Sequence, residues 1–402
     1  VIPRPRHLLA LRAKFAHFPV VAMLGARQVG KTTLSRQLAK EWQGPSHHFD
    51  LEDPADQARL GDPGFVLREL RGLVVIDEVQ VRPDLFPLLR VLADRPDAPA
   101  KFLLLGSAAP ELLRATAETM AGRVIFHQLH GLDWSEVAGA ATTSPSDWMD
   151  EHWLKGGFPR SFLAESVCVS REWRGAFIRT YLERDLPQLG MNLPALTLRR
   201  FWTMLAHYHG QTWNGSELAR SLGVSDKTVG RYLDILEGTF MAFRLLPYHA
   251  NVGKREIKAP KVYVSDTGLL HSLLGITQHE DLLAHPKCGA SWEGTIIREL
   301  IHRFDLQRGE SFFWGTHSGA DLDLLVVRGS TRLGFEIKLT RSPRVTASMK
   351  TAMEVLGLER VFVMCYGDGT SWELAQGVTA VPAGNLSNAG WLPELSGQRW
   401  GG

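Results

Sequence analysis

The octapeptide Gly25-Ala26-Arg27-Gln28-Val29-Gly30-Lys31-Thr32, continued by Thr33, has the residue types and spacing to hold a chain of phosphates. Its fixed positions fit the pattern G-x-x-x-x-G-K-[ST]. The glycines allow a turn tight enough for several amide N–H groups to converge on one anion. Lys31 would reach the β- and γ-phosphates of a nucleoside triphosphate, and the Thr32 hydroxyl would bind its Mg²⁺. Further on, the apolar run Leu73-Val74-Val75-Ile76 ends in Asp77-Glu78. Asp77 suits the water shell of Mg²⁺, and Glu78 suits a general base for an attacking water. Ser107 ends a third apolar run, Lys101 to Leu105 then Gly106. It stands where a polar residue would sense a γ-phosphate, or where a serine would cap the next helix. Arg123, after Ala121-Gly122, has two readings: a guanidinium for a γ-phosphate in its own or a neighbouring subunit, or a surface arginine paired with Glu118. The cofactors expected from these residues are ATP and Mg²⁺.

The elements that must position them are legible too. Val20-Val21-Ala22-Met23-Leu24 precedes the loop and a helical pattern to Lys40 follows it, giving the strand, turn and helix that the motif requires. The helix then aims the positive end of its dipole at the same anion. Repeated apolar strands with room for crossover helices predict an α/β domain of the P-loop class over residues 1–140. Its doubly wound parallel sheet would hold the nucleotide at the carboxyl ends of the strands.

At 402 residues the chain has room for two or three domains. No apolar run approaches the ~18 residues of a membrane span, and the basic start from Val1 to Phe18 lacks the apolar core of an export signal. Cys168, Cys288 and Cys365 lie far apart without metal-ligand spacing. They read as isolated reduced thiols, so a cytoplasmic protein with no membrane partner is expected. The net charge of +2 excludes a uniformly basic nucleic-acid binder. Between Arg199 and Lys261, however, ten basic residues face five acidic ones, which marks a segment for a polyanion.

Gly139 to Asp147 is rich in small and turn-forming residues and reads as a linker. The segment 148–275 reads as helical, with a winged helix at its end. Residues 217–222 form one short helix, Gly223-Val224-Ser225 a turn, and 226–236 a second helix with Ser225 as N-cap. On the DNA reading, Lys227, Thr228 and Arg231 face a groove, while Lys254, Arg255, Lys258 and Lys261 of the wing meet phosphates. On the other, the module packs or binds protein.

The last segment, 285–385, carries a carboxylate set. Period two sends Asp321 and Asp323 to one side of a strand, and Glu336 and Lys338 to one side of the next. A hairpin would gather Asp323, Glu336 and Lys338, with Glu293 arriving from a helix. Such an oxygen-rich set suits Mg²⁺ or Mn²⁺ acting on a phosphodiester, or it lines the charged outer face of an ordinary sheet.

As a whole the chain resembles a family of prokaryotic AAA+-type ATPases that join this loop to a C-terminal domain of unknown function. The matching stretches are Gly25 to Thr33, Val75 to Gln80, Leu105 to Ser107, Ala121 to Arg123, Lys155 to Pro159, Tyr181 to Leu186 and Pro260 to Gly268, with the acids of 321–325 and 335–338. The resemblance implies an AAA+ module, a winged helix and an α/β restriction-endonuclease-like C-terminal domain of PD-(D/E)XK type. Two departures stand out: Ala108-Ala109 replaces serines after Ser107, and Asp321 stands where the family often has glutamate. The function expected is an ATP-driven motor on branched or duplex DNA, of helicase or branch-migration type, in a homo-oligomer such as a hexameric ring. The alternatives are a regulatory ATP switch with an inert C-terminal domain, and an ATP-licensed metal-dependent nuclease.

Overall fold

The computed structural model describes residues 2–96, 99–108, 120–189, 191, 193–249, 259–316 and 319–388. Five strands make the first sheet: β1 (Val20–Leu24), β2 (Ser46–Asp50), β3 (Gly72–Asp77), β4 (Ala100–Gly106) and β5 (Val124–Gln128). Their order is β2-β3-β4-β1-β5, and every pairing is parallel. A parallel sheet is covered on both faces, which is why β1 is apolar and buried at every position. Alternation then divides its side chains between two cores. Val21 and Met23 pack with Leu34 and Leu38 of the helix Lys31–Lys40 and with Leu11 and Phe15 of the N-terminal helix Pro5–His17. Val20, Ala22 and Leu24 pack on the other face with Phe86 and Leu89. β1 therefore lies between β4 and β5 while the chain leaves it for the far edge at β2, the switch point at which such sheets bind ligands.

The first of these cores runs on into the middle of the chain, where Phe177, Tyr181, Trp202 and Leu233 join it. The expected linker 139–147 is largely helix. Helices Trp134–Ala140 and Pro145–Lys155 leave only Ala141 to Ser144 between them. Ser144 caps the second helix and Pro145 opens it, so Ser-Pro-Ser-Asp is a helix start rather than a spacer.

The helix pair appears as Gly215–Leu222 and Asp226–Gly238. Gly223, at φ 70°, ends the first helix in the left-handed region, and the Ser225 Oγ accepts the Thr228 N–H at 3.2 Å. Strands β6 (Gln211–Thr212), β7 (Ala242–Pro247) and β8 (Lys261–Val264) accompany it, with β8 antiparallel to both others.

These three strands do not stand alone. β9 (Ser311–Gly315), β10 (Asp321–Arg328), β11 (Thr331–Lys338), β12 (Val361–Cys365), β13 (Trp372–Ala375) and β14 (Val378–Pro382) continue them into one nine-stranded sheet of order β13-β14-β12-β11-β10-β9-β7-β8-β6. The join is a short parallel pairing, Leu246 with Phe312 and Pro247 with Phe313. The segments drawn from sequence at 148–275 and 285–385 thus share a sheet. The helix Cys288–Arg303 buries Trp292, Ile296, Ile297 and Leu300 against Trp134, Trp153 and Phe335.

Two motifs of the middle segment meet at this junction. The Gly157 N–H donates to Asp266 Oδ2 at 2.8 Å. A Cβ on Gly268 would lie 2.1 Å from the Lys155 carbonyl oxygen. Lys-Gly-Gly-Phe-Pro and Ser-Asp-Thr-Gly are therefore halves of one close backbone contact.

Candidate functional site

The phosphate loop connects β1 to its helix at the carboxyl end of the sheet. Gly25 must be glycine because a Cβ there would lie 2.1 Å from the Leu129 carbonyl oxygen beyond β5. Gln28 at φ 65° and Gly30 at φ 100° turn the chain through the left-handed region. Ala26 and Val29 are buried and seat the loop. The Lys31 ammonium is buried as well, donating to the carbonyls of Gly25 at 2.9 Å and Ala26 at 3.0 Å. Burial lowers its pKa, opposed by Glu78 and Asp77.

β3 delivers the acids beside it. The Thr32 hydroxyl donates to Asp77 Oδ2 at 2.6 Å, so the two residues expected to hold Mg²⁺ already face each other. Burial pushes the Asp77 carboxyl up, and the Thr32 hydrogen bond opposes that. Glu78 sits at φ 52°, a backbone region unusual for a residue with a side chain. Its N–H donates to Asp77 Oδ1 at 3.0 Å. Its Oε2 accepts the Ser107 hydroxyl at 2.9 Å and the Gln80 amide, and Gln80 also donates to Ser107 Oγ at 3.1 Å. Ser107 is therefore engaged with Glu78, and Gln80 is a third member of the set that the sequence reading did not single out. Its signal was its place two residues after Glu78 in a matched motif.

Arg27 has more to hold than a loop position implies. Its guanidinium donates to Asp185 Oδ1 at 2.8 Å and to both oxygens of Glu52 at 2.9 Å. Asp185 ends a single π-helical turn, Tyr181–Asp185, so the phosphate loop is tied directly to the helical segment.

For Arg123, β5 runs parallel to β1 with Val124 beside Val20. Arg123 thus lies at the amino end of the strands, a strand length of roughly 16 Å from its own loop. It pairs with Asp94 at 2.6 Å, whereas Glu118 lies outside the described residues. The distance removes the role at its own subunit's γ-phosphate, and the surface reading gains Asp94 as a partner.

The basic segment is also less free than its charge count implied. Lys227 and Arg231 are exposed on the second helix of the pair, and Thr228 is half-buried with its hydroxyl 2.9 Å from that of Ser225. Arg244 pairs with Asp234 and Glu237. Lys261, expected to face phosphates, points inward to Glu293 and Asp323 instead. Lys254, Arg255 and Lys258 lie outside the described residues.

The C-terminal acids do come together. Leu324 faces Phe335 across the antiparallel ladder, which makes Asp323 and Glu336 neighbours. Asp323 Oδ2 accepts the Ile337 N–H at 2.8 Å, and Glu336 Oε1 pairs with Lys338 at 2.6 Å. Glu293 Oε1 accepts the Tyr263 hydroxyl at 2.6 Å and pairs with Lys261 at 3.0 Å. Burial raises the pKa of Asp323, reinforced by Glu293 and Glu336. Burial raises Glu336 also, against the pull of Lys338. The one group among the described residues whose three donor atoms lie within 4.8 Å of one another is elsewhere: His7, Asp133 and Glu136. There Arg4 already binds both Glu136 oxygens, at 2.6 and 2.9 Å.

Uncharacterized protein Rv2008c of Mycobacterium tuberculosis is 46% identical to this chain over 385 residues, which span 96% of the chain and 85% of the relative. The same figures hold for uncharacterized protein Mb2031c of Mycobacterium bovis. This chain belongs to the Rv2008c family. An uncharacterized protein of Haemophilus influenzae matches at 26% over 278 residues, covering 65% of the chain and 66% of that protein. Within this Rv2008c-family chain, residues 17–138 match the family model described as AAA domain. Residues 146–280 and 288–386 match two domains of unknown function, DUF8612 and DUF4143. Among solved structures, the Walker-type ATPase PABY2304 of Pyrococcus abyssi aligns with a TM-score of 0.46 at 16% identity, covering 68% of this chain and 96% of that one. The match of residues 17–138 to the AAA domain makes the first sheet the parallel sheet of an AAA-type domain. Among the described residues, no helix is long and apolar enough to cross a membrane.

Proposed function

We infer that this Rv2008c-family chain hydrolyses ATP and uses the turnover to drive a motor on branched or duplex DNA. The observation that carries the reading is the convergence of Lys31, Thr32, Asp77 and Glu78 at the switch point, with Thr32 and Asp77 2.6 Å apart. The loop fits its ligand: a buried ammonium is held on carbonyls it can exchange for phosphate oxygens. Loop amides and Lys31 would bind the β- and γ-phosphates, and Thr32 and Asp77 would hold Mg²⁺. That ion, when bound, neutralises charge on the transferred phosphoryl group. Glu78 would take the proton of the attacking water, and Ser107 and Gln80 fix where its carboxylate points. Arg27 supports coupling of turnover to the rest of the molecule, because it joins the loop to Asp185.

Two further observations support the partner side of the proposal, and a third bears on location. Lys227 stands exposed in the first turn of the second helix of the pair and Arg231 one turn further on, the end from which such helices meet DNA. Arg123 is partly exposed at the far end of the sheet, where a neighbouring copy in a ring could use it. Cys168, Cys288 and Cys365 are unpaired, consistent with a cytoplasmic protein.

The test is phosphate release against single-stranded, duplex, forked and four-way DNA. Stimulation by one structure that vanishes in Lys31→Ala is expected; a rate indifferent to every DNA would end the motor reading. Slow turnover with DNA held in only one nucleotide state would point to the ATP switch instead. The gathering of Asp323, Glu336, Lys338 and Glu293 leaves a second reading, metal-dependent cutting of DNA licensed by ATP, which requires Lys261 to leave its place beside Glu293 and Asp323. Cleavage in Mg²⁺ or Mn²⁺ that disappears in Glu336→Ala tests it.

A further inference from the structure

Around the C-terminal acids, charges and partners can be counted side by side. Four carboxylates meet there: Asp321 at the exposed rim, and Glu293, Asp323 and Glu336 within. Two ammonium groups answer them. Lys338, the lysine expected from sequence, holds Glu336 and is itself 41% exposed. The other is Lys261 of β8, whose Nζ lies 3.0 Å from Glu293 Oε1 and 3.9 Å from Asp323 Oδ1. Its side chain is 15% exposed, and its ammonium stands 5.6 Å from the centre of the Phe313 ring. Tyr263, two residues along β8 and so on the same face, completes the grip on Glu293.

One positive charge therefore sits between two of the carboxylates that a divalent ion would need. Metal–oxygen bonds of about 2.0–2.6 Å leave no room for an ammonium in the same space. The remaining oxygens are largely committed, with Asp323 Oδ2 on the Ile337 N–H and Glu336 Oε1 on Lys338. Glu336 Oε2 is buried without a hydrogen-bond partner. As arranged, the donor set does not fit a metal. It fits a lysine, with one carboxylate oxygen left over.

We propose that Lys261 is a tethered cation standing in the metal position of this site, and that it keeps divalent ions out. This rests on the reading of the acids as a metal site, though not on their cutting DNA. The site would take a divalent ion only with that lysine removed.

The test is a Mn²⁺ titration of the full chain without nucleotide, followed by the EPR signal of free Mn²⁺, in wild type, Lys261→Met, Lys261→Gln and Lys261→Arg. Thermal melts establish that each variant is folded. Both neutral variants are expected to bind one additional Mn²⁺ with an affinity raised about tenfold or more, the scale set by removing one unit charge within ~4 Å. Lys261→Arg should behave as wild type. Adding Glu336→Gln to Lys261→Met should abolish the gain. Binding by wild type as tight as by Lys261→Met, absence of any gain in both folded neutral variants, or a gain that survives Glu336→Gln would each overturn the proposal. DNA cleavage by Lys261→Met is scored separately: Mn²⁺ bound without cutting refutes the nuclease reading and leaves the block established.

Discussion

If the phosphate loop reports to the rest of the molecule through Arg27, the bond to Asp185 must carry measurable free energy. Arg27→Ala, Asp185→Ala and the double variant form a cycle that isolates it. The side chains are 20% and 8% exposed and meet at 2.8 Å. That places the pair between a solvent-exposed ion pair, at about 0.2–1 kcal/mol, and a charge-assisted hydrogen bond in a sheltered site, at about 1.5–3 kcal/mol. Asp185 keeps a second contact to Arg184 at 3.1 Å, but Arg184 is 54% exposed and compensates little. Glu52, 43% exposed, adds to Arg27 without altering Asp185. A coupling energy of about 1–2 kcal/mol follows. It should appear in urea unfolding monitored by tryptophan fluorescence, since Trp173 and Trp202 lie in or against the core shared by the two segments. The same cycle on the affinity of a fluorescent ATP analogue asks whether nucleotide uses the tie. Additive single effects in unfolding, within about 0.3 kcal/mol, would show that the bond contributes nothing and that loop and helical segment are coupled by packing alone.

Four shorter predictions accompany it. Lys31→Ala should reduce phosphate release about 10²–10³-fold, the usual loss when a group stabilising transition-state charge is removed; a rate above one third of wild type would contradict the assigned role. Glu78→Gln should bind nucleotide and not turn it over, while Ser107→Ala and Gln80→Ala should each lower kcat with nucleotide affinity unchanged. If either weakens affinity instead, that residue touches nucleotide rather than positioning the base. Glu299 is buried, accepts the Trp134 N–H at 3.0 Å, and has its carboxyl pushed up from 4.5 to about 8 by burial and then by Asp133. Its neutral form is the one the fold prefers, so its contribution is intact below pH 4.5 and is lost as pH rises through about 8. Glu299→Gln should therefore melt above wild type at pH 8–9 and level with it near pH 4.5; an equal difference at both pH values would count against the shifted carboxyl. Gly268→Ala drives a Cβ to 2.1 Å from the Lys155 carbonyl, so a loss of about 1–3 kcal/mol is expected in thermal unfolding.

The parts of this molecule that were legible in sequence are those whose logic is local. The phosphate loop is eight residues between a strand and a helix, and its pattern of glycines, lysine and threonine is complete within that stretch, although Gly25 also answers to Leu129 beyond β5. Asp77 and Glu78 follow from a strand end, and Asp323, Glu336 and Lys338 follow from period two on a hairpin. Ser-Pro-Ser-Asp before Trp148 is equally local and was open to the same reasoning, since a capping serine followed by proline starts a helix more readily than it fills a linker.

Partners that arrive across the fold were not legible. Arg27 and Asp185 are separated by 158 positions, and Tyr263 and Glu293 are brought together by the packing of a helix on a sheet. Lys261 shows why this matters for function. Its composition and neighbours class it with the basic wing, and only the parallel pairing of β7 with β9 carries β8 to within reach of the acids. Glu-x-Lys on a strand suggests a metal site, but whether such a set can hold metal depends on the sum of charges that the topology delivers there. A second lysine changes that sum by one unit, as much as losing one of the carboxylates would. In this chain the acids and the lysine that answers them are supplied by opposite sides of the β7–β9 join, so occupancy of the site is a property of the joined sheet and of nothing smaller.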